Sequence, residues 1–276
     1  TLVLLLSASL VFANQPANAA LDYCKASLLH KTPDNSVSNM LEQLLRNRIG
    51  PNHQIRQYVD DNRDAIKIAT RAAEAPNCDF QWHFSDGLEM QMPCVFGCVD
   101  LARATLANAK VLEAENDYDE ALELCLSARK IGRHLNHQSQ TMCQLVGVKI
   151  NMYANNCMQS ILGKIPEDPQ TLELLQDQLT QIDNLPFSLK PSFYIERKIW
   201  STYMTKSRVA EISLEGMAVE SSLKNIAKER VAVADDEFFK RNQLYWEKHI
   251  DTIISALDLP YAKAFAEMKK EYLRAA

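Results

Sequence analysis

The sequence predicts an all-α fold built from antiparallel helical hairpins. Only seven glycines occur in 276 residues, while Leu, Ala, Glu, Gln and Lys are abundant, so little material exists for the tight turns of a β-rich chain. Apolar residues recur at three- and four-residue intervals in almost every segment after Ser36, the period of an amphipathic helix. Pro166, Pro169, Pro186, Pro191 and Pro260 fall between these segments and not inside them. The connections are short, which favours antiparallel neighbours.

The chain opens with nineteen uncharged residues containing the apolar run Leu2 to Phe12. That run is too short to span a bilayer as a helix and suits the core of a secretory leader. Ala17-Asn18-Ala19 presents small residues at the two positions a signal peptidase inspects, which places cleavage after Ala19 and leaves 20–276 as one helical domain. A leader normally begins with Lys or Arg. None precedes the apolar run, so the leader reads as truncated at its start. Leu21-Asp22-Tyr23 precedes Cys24 where a lipid-anchored cysteine would follow small residues, so export in soluble form to the periplasm or cell envelope of a bacterium is expected.

Val37, Met40, Leu41, Leu44 and Leu45 line one face of a helix over 36–49, capped by Asp34 or Ser36 and stopped by Gly50-Pro51. A second helix is expected over 52–75, ended by Pro76. Phe80, Trp82 and Phe84 then alternate ahead of Asp86-Gly87, a pattern of a short extended piece that turns at the glycine. Pro93 fits the first position of a helix over 93–115, and Asn116-Asp117 marks the turn into a return helix over 119–135. Further helices are expected over 140–162, 168–182, 191–214, 217–233, 235–257 and 260–274, the last running into the chain end without a stop signal, as a C-terminal truncation would.

No later stretch reaches the roughly 18 apolar residues of a transmembrane helix. Lys and Arg are scattered among Asp and Glu at a net charge of −5, so no basic stripe offers itself to nucleic acid.

Asn116-Asp117-Tyr118-Asp119-Glu120-Ala121-Leu122, followed by Cys125 and Ala128, resembles the turn and second helix of a tetratricopeptide repeat, with Ala109, Ala121 and Ala128 at its small-residue contact positions. Cys125 stands where that motif usually has an aromatic, and no second copy follows at the 34-residue period. A broader likeness spans 62–197. Asn77-Cys78-Asp79-Phe80, the stretch from Leu101 to Leu135, Gln144-Leu145-Val146-Gly147 and Glu196-Arg197 resemble a family of uncharacterised exported helical proteins of planctomycete bacteria. The resemblance implies a fold and a compartment but no activity. Where members often read Leu-Pro-His-Leu, this chain has Met92-Pro93-Cys94-Val95, so no role for that histidine carries over.

His134 and His137 lie three apart on one expected helical face, next to Gln138, and could offer two imidazole ligands. No third ligand has recognisable spacing, so no metal or other cofactor is expected, and a cation at a helix C-terminus explains the histidines more simply. Glu196-Arg197 sits among Phe193, Tyr194, Ile195, Ile199 and Trp200, as a partly buried carboxylate of raised pKa or as half of a structural ion pair. The aromatics around Trp82 line a binding pocket or plug the space between helical layers. Phosphate-loop, nucleophile-elbow and kinase-like motifs are absent. The leading expectation is therefore a helical scaffold that binds a protein or peptide, with His134, Glu196, Arg197 and Trp82 as candidate contacts and no catalytic residue assigned. The alternative is a periplasmic hydrolase or metal-handling enzyme centred near His134 or Glu196. A deep pocket converging on those residues would favour the enzyme, and an open groove with scattered polar groups the scaffold.

Seven cysteines remain after leader removal, an odd number that leaves at least one thiol unpaired within the chain. Cys125, Cys143 and Cys157 fall on apolar helical faces and are expected reduced. Cys94 and Cys98, four apart, are expected to seek a partner outside their helix, with Cys78 the nearest, although full reduction of all seven remains the competing reading. The hairpin of 93–115 and 119–135 carries a direct prediction. Ala121→Leu should cost about 1–3 kcal/mol by overpacking the crossing; an unchanged urea midpoint would mean the hairpin is wrongly drawn.

Overall fold

Short polar side chains start the helices of this protein. In the computed structural model, which describes residues 18–82, 92, 94–165, 169–183, 188–203, 234–259 and 263, ten helices are found among the described residues. They are α1 (Ala19–Leu29), α2 (Asn35–Leu45), α3 (His53–Asp61), α4 (Arg63–Ala73), α5 (Val95–Glu115), α6 (Tyr118–Asn136), α7 (Thr141–Leu162), α8 (Pro169–Ile182), α9 (Lys190–Tyr203) and α10 (Asp236–Ala256). Asn18, Asp34, Asn52, Asp117 and Asp235 each accept a hydrogen bond from a backbone N–H in the first turn of α1, α2, α3, α6 and α10. The fold is all-α, and no described helix is long and apolar enough to cross a membrane. The helix expected over 217–233, the one expected over 260–274 apart from residue 263, residues 204–214, Phe84, Gly87 and Pro93 lie outside the described residues.

Three boundaries differ from the sequence reading, each through an asparagine or through long-range packing. α2 ends at Leu45, short of Gly50, because Asn47 adopts the left-handed conformation (φ 55°). The N–H groups of Asn47 and Arg48 then bond back to the carbonyls of Leu44 and Gln43, closing the helix end. Asn116 (φ 66°) does the same for α5. The helix expected over 52–75 is two helices, split at Asn62, whose buried carboxamide accepts from the Lys31 N–H at 2.7 Å and donates to the Tyr58 carbonyl at 2.9 Å. α1 had no counterpart in the sequence reading. Its inward face of Ala19, Tyr23 and Ala26 finds cover in α4 and α5, elements distant in sequence.

Contacts divide the chain into two compact units where the sequence suggested one continuous domain over 20–276. The first comprises residues up to 81, 92–138 and 142–187. Its centre is α5, touched by α1, α2, α3, α4 and α6. A helix enclosed on so many sides needs small side chains, and Ala102, Ala104, Ala107 and Ala109 are all buried along it. α5 and α6 pack as the expected hairpin, with Ala109, Ala121 and Ala128 fully buried in one cluster. α6 and α7 also approach closely: a Cβ on Gly147 would stand 2.5 Å from the Gly132 carbonyl and would strike the Asn136 carboxamide.

The second unit holds α9 and α10, which pair with each other. Trp200 meets Trp246 edge-on at 5.4 Å, Ser201 donates to Glu247 at 2.6 Å, and Lys190 pairs with Asp258. Partners descend one helix as they climb the other, so the hairpin is antiparallel.

One disulfide joins Cys24 in α1 to Cys94, the residue before α5, with Cα atoms 5.3 Å apart. Cys94 thus takes a partner from outside its helix, but that partner is Cys24, and Cys78 and Cys98 are free thiols. The reason is placement: α1 packs on α5, whereas Cys78 is held through its backbone carbonyl, which accepts from Gln138 Nε2 at 2.6 Å. Cys125, Cys143 and Cys157 are free and buried. In the chain-entropy picture a loop of 70 residues gives the disulfide about 4 kcal/mol.

The glycine contacts yield a paired expectation. Gly147→Ala should lower stability by about 1–3 kcal/mol through forced separation of α6 and α7. Gly50→Ala, where an added Cβ would meet nothing within 4 Å, should leave stability level or raise it by a few tenths of a kcal/mol. Urea titration of the two variants side by side checks the contrast, and equal destabilisation would refute the close approach.

Candidate functional site

The residues singled out by sequence fall in three different settings. His134, expected as a cation at a polar helix end, is buried at 6% exposure near the end of α6. Its Nε2 donates to the Ala75 carbonyl at 3.0 Å, which fixes the tautomer because a carbonyl can only accept. Nδ1 therefore accepts from the Tyr23 hydroxyl of α1, 2.8 Å away. Burial pulls the pKa of His134 down to about 4, against an opposing contribution from the Ala75 bond, so the imidazole is neutral. Burial, and then the neighbouring Cys98 and Cys78 thiols, push the Tyr23 hydroxyl well above its usual range. His137, by contrast, is exposed, so the two histidines do not converge.

The same neighbourhood gathers the short irregular segment after α4. Asn18 donates to the Asp79 carbonyl at 2.8 Å and accepts from the Asp79 N–H at 2.9 Å. The Ala19 N–H donates to the Asn77 carbonyl, and Gln138 spans from Cys78 to its own helix at His134. Side chains thus replace the regular backbone pairing this segment lacks. A single parallel bridge joins Asn18 to Asn77, ahead of the alternation expected at Phe80, Trp82 and Phe84, of which Phe84 lies outside the described residues. Trp82 is half-buried at the end of the described stretch, and His83 and Phe84 lie outside it.

Glu196 and Arg197 lie on α9, both partly buried. Arg197 pairs with Asp251 of α10 at 3.2 Å, the structural ion pair that the sequence left open as one of two roles. With both partners well exposed to solvent it contributes little to stability.

A further charged group escaped the sequence reading. Lys110 and Glu113, one turn apart on the enclosed helix α5, are 6% and 2% exposed. Lys110 Nζ donates to Asn47 Oδ1 and Ser160 Oγ, each at 2.9 Å, and pairs with Glu113. Glu113 also accepts from Ser160 at 2.6 Å and pairs with Lys164 at 2.8 Å. Burial opposes ionisation of Glu113, but the bonds from Lys110, Lys164 and Ser160 outweigh it and hold its pKa below the ordinary value. This network joins α5, α7 and the turn after α2, and its donors and acceptors are engaged with one another.

An accessible concavity among the described residues of the first unit lies elsewhere, at the entrances of α2 and α3. A cleft of about 320 Å³ is lined by Lys31, Pro33 and Val37 on one side and by His53, Gln54, Gln57 and Asp61 on the other. Its floor is Tyr58, 7% exposed, whose hydroxyl shares a 2.8 Å hydrogen bond with His30 Nε2. Gln54 and Gln57, three apart on α3 and both exposed, present their carboxamides from one helical wall. Lys31 and Asp61 close the rim with an ion pair at 3.3 Å. The sequence carried no signal for this site, because polar residues on the outer face of a helix look the same whether or not a neighbour makes them a wall.

Among the described residues no group of three or more His, Cys, Asp or Glu side chains is arranged to hold a metal ion. No family model, no curated protein and no solved structure matches the chain.

The state of His134 gives a pH dependence. Its folded pKa of about 4 lies below the ordinary 6.5 of an exposed imidazole, so the unfolded chain binds the proton first. The stability this group contributes is complete above pH 6.5 and is lost as pH falls toward 4, by roughly 3 kcal/mol in all. His134→Gln should flatten the loss of unfolding free energy between pH 7 and pH 4.5 relative to wild type. Parallel slopes in the two proteins would show that His134 titrates normally.

Proposed function

We propose that this protein is an exported helical scaffold of the bacterial cell envelope that binds a peptide segment of a partner protein in the cleft between α2 and α3. The observation that carries the reading is the pair of exposed carboxamides, Gln54 and Gln57, on the wall of that cleft. A carboxamide offers one acceptor and two donors, the complement of a peptide group, and can bond an extended backbone without demanding a particular side chain. Val37, Pro33 and the Tyr58 floor add apolar contact, the usual composition of a binding cleft. The disulfide between Cys24 and Cys94 supports an oxidising destination, consistent with the leader-like start and the peptidase signature ending at Ala19. The buried alanines of the α5–α6 hairpin support a tetratricopeptide-like use of helix pairs as a platform.

The rival reading, a hydrolase or metal-handling enzyme near His134 or Glu196, finds less support. Both imidazole nitrogens of His134 are occupied inside the core, and Arg197, beside Glu196, is engaged in a surface ion pair. A group without a vacant lone pair or an exchangeable proton facing solvent cannot serve as a general base.

Binding of the purified protein to an array of random peptides of about 12 residues checks the proposal. The double variant Gln54→Ala, Gln57→Ala should weaken the best peptides roughly tenfold, the loss of two hydrogen bonds at about 0.5–1.5 kcal/mol each. Peptides that bind wild type and double variant equally would remove the cleft from the function.

A further inference from the structure

Cys125 of α6 and Cys157 of α7 are both fully buried in the same apolar cluster. Their facing follows from the way the two helices run past each other. Gly132 lies against Gly147 and Asn151, and Gly147 lies against Asn136. Arg129 Nη1 donates to Asn155 at 2.7 Å. Paired positions thus fall along α6 as they rise along α7. Carried one turn beyond the Arg129–Asn155 pair, that register sets Cys125 opposite Cys157, whose thiol is the leading influence on that of Cys125. The glycine crossing brings the helix backbones nearer than ordinary side chains permit, which favours the short Cα separation a disulfide requires.

We propose that Cys125 and Cys157 are a second disulfide-forming pair of this chain, closed by exchange with a small aliphatic disulfide in the compartment where Cys24 and Cys94 are joined. In the first step the Cys125 thiolate attacks one sulfur of the small disulfide, forms a mixed disulfide and releases one thiolate. Cys157 then attacks Cys125 Sγ, forms the intramolecular S–S bond and releases the second thiolate. The two thiol protons of the pair end on the two leaving thiolates, so the protein is oxidised by two electrons and the small disulfide reduced by two.

The neighbouring Cys157 thiol, toward which Cys125 donates, and then burial push the Cys125 thiol well above its usual range, so thiolate is scarce in the folded hairpin. Exchange therefore belongs to folding, before α6 and α7 close, or to transient opening of the hairpin. The bond would tie α6 to α7 at the end of the pair remote from the connecting turn. It would leave Cys78, Cys98 and Cys143 as thiols, still an odd number.

The test refolds the full chain from the reduced, denatured state in a buffer of reduced and oxidised glutathione. After denaturation and alkylation, free thiols are counted and the non-reduced digest is mapped by mass spectrometry. The expected result is three alkylated cysteines where five are free in the structure, with one peptide pair linked through Cys125 and Cys157. The Cys24→Ser, Cys94→Ser double variant should retain that link, which separates it from disulfide reshuffling. Alkylation of both Cys125 and Cys157 under conditions that close Cys24 to Cys94 would overturn the proposal, as would linkage of either to Cys78, Cys98 or Cys143. If wild type fails to refold, the same mapping on protein isolated in folded form from an oxidising compartment decides between these outcomes.

Discussion

A helix surrounded by five others can be lined only by side chains small enough to let all five approach, and α5 is built under that constraint. Alanines occupy its crossing points, and the wider positions carry Leu101 and Leu106, both fully buried. The rest of the first unit inherits its positions from this helix. Cys94 at its start ties down α1, and Asn116 at its end turns the chain into α6. Lys110 and Glu113, near its last turn, fix α7 and the turn after α2 through Ser160 and Asn47. Charge placed so deep is costly unless it is paired, and here Asn47, Ser160 and Lys164 add their bonds to the Lys110–Glu113 pair. A hydrophobic replacement of similar volume could match it in stability, so its contribution lies in registering α7 and the α2 turn against α5.

The second constraint comes from the short irregular segment after α4. Backbone groups outside a helix still require partners, and those of residues 75–79 find them in Asn18, His134 and Gln138. This is why the histidine most suggestive of chemistry is not available for it. Neutral, tautomerically fixed and bonded at both nitrogens, His134 works as a strut between α1, α6 and the segment. The polar groups still open to a ligand are those on surfaces that no backbone needs, and the outer face of α3 is such a surface.

Much of the helical architecture was legible in the sequence, because period and proline placement act locally. The hairpin of α5 and α6 was legible to its contact residues, since small side chains at Ala109, Ala121 and Ala128 leave a pattern within a few turns. What escaped depended on asparagine or on distance. Asn47 and Asn62 end or split helices by left-handed backbone or by a side chain that competes with the backbone, and asparagine in an amphipathic stretch gives no warning of either. The partner of His134 is 111 residues away, and the partner of Cys94 is 70 away. Spacing on one helix therefore pointed to ligands and to a local disulfide that the tertiary packing does not make. The cleft escaped for the same reason, since its two walls are exposed helix faces until the chain folds them together.

Among the attachments of α1, three differ in what each requires. Asn18 caps the helix and clasps Asp79, Tyr23 donates to His134, and Cys24 bonds to Cys94. On the proposed export route, cleavage after Ala19 removes the first of these. Both Asp79 contacts go with it, and a new ammonium group is placed at the positive end of the helix dipole, where it is unfavourable by about 0.3–1 kcal/mol. The tyrosine bond survives but involves a histidine that acidification charges, so it is lost as pH falls toward 4. The disulfide depends on neither the leader nor pH, only on an oxidant. On that route a chain still carrying its leader in a reducing environment would hold α1 by Asn18 and Tyr23, and a processed chain in an oxidising one by Tyr23 and Cys24. On that proposed route the helix would exchange a polar anchor for a covalent one.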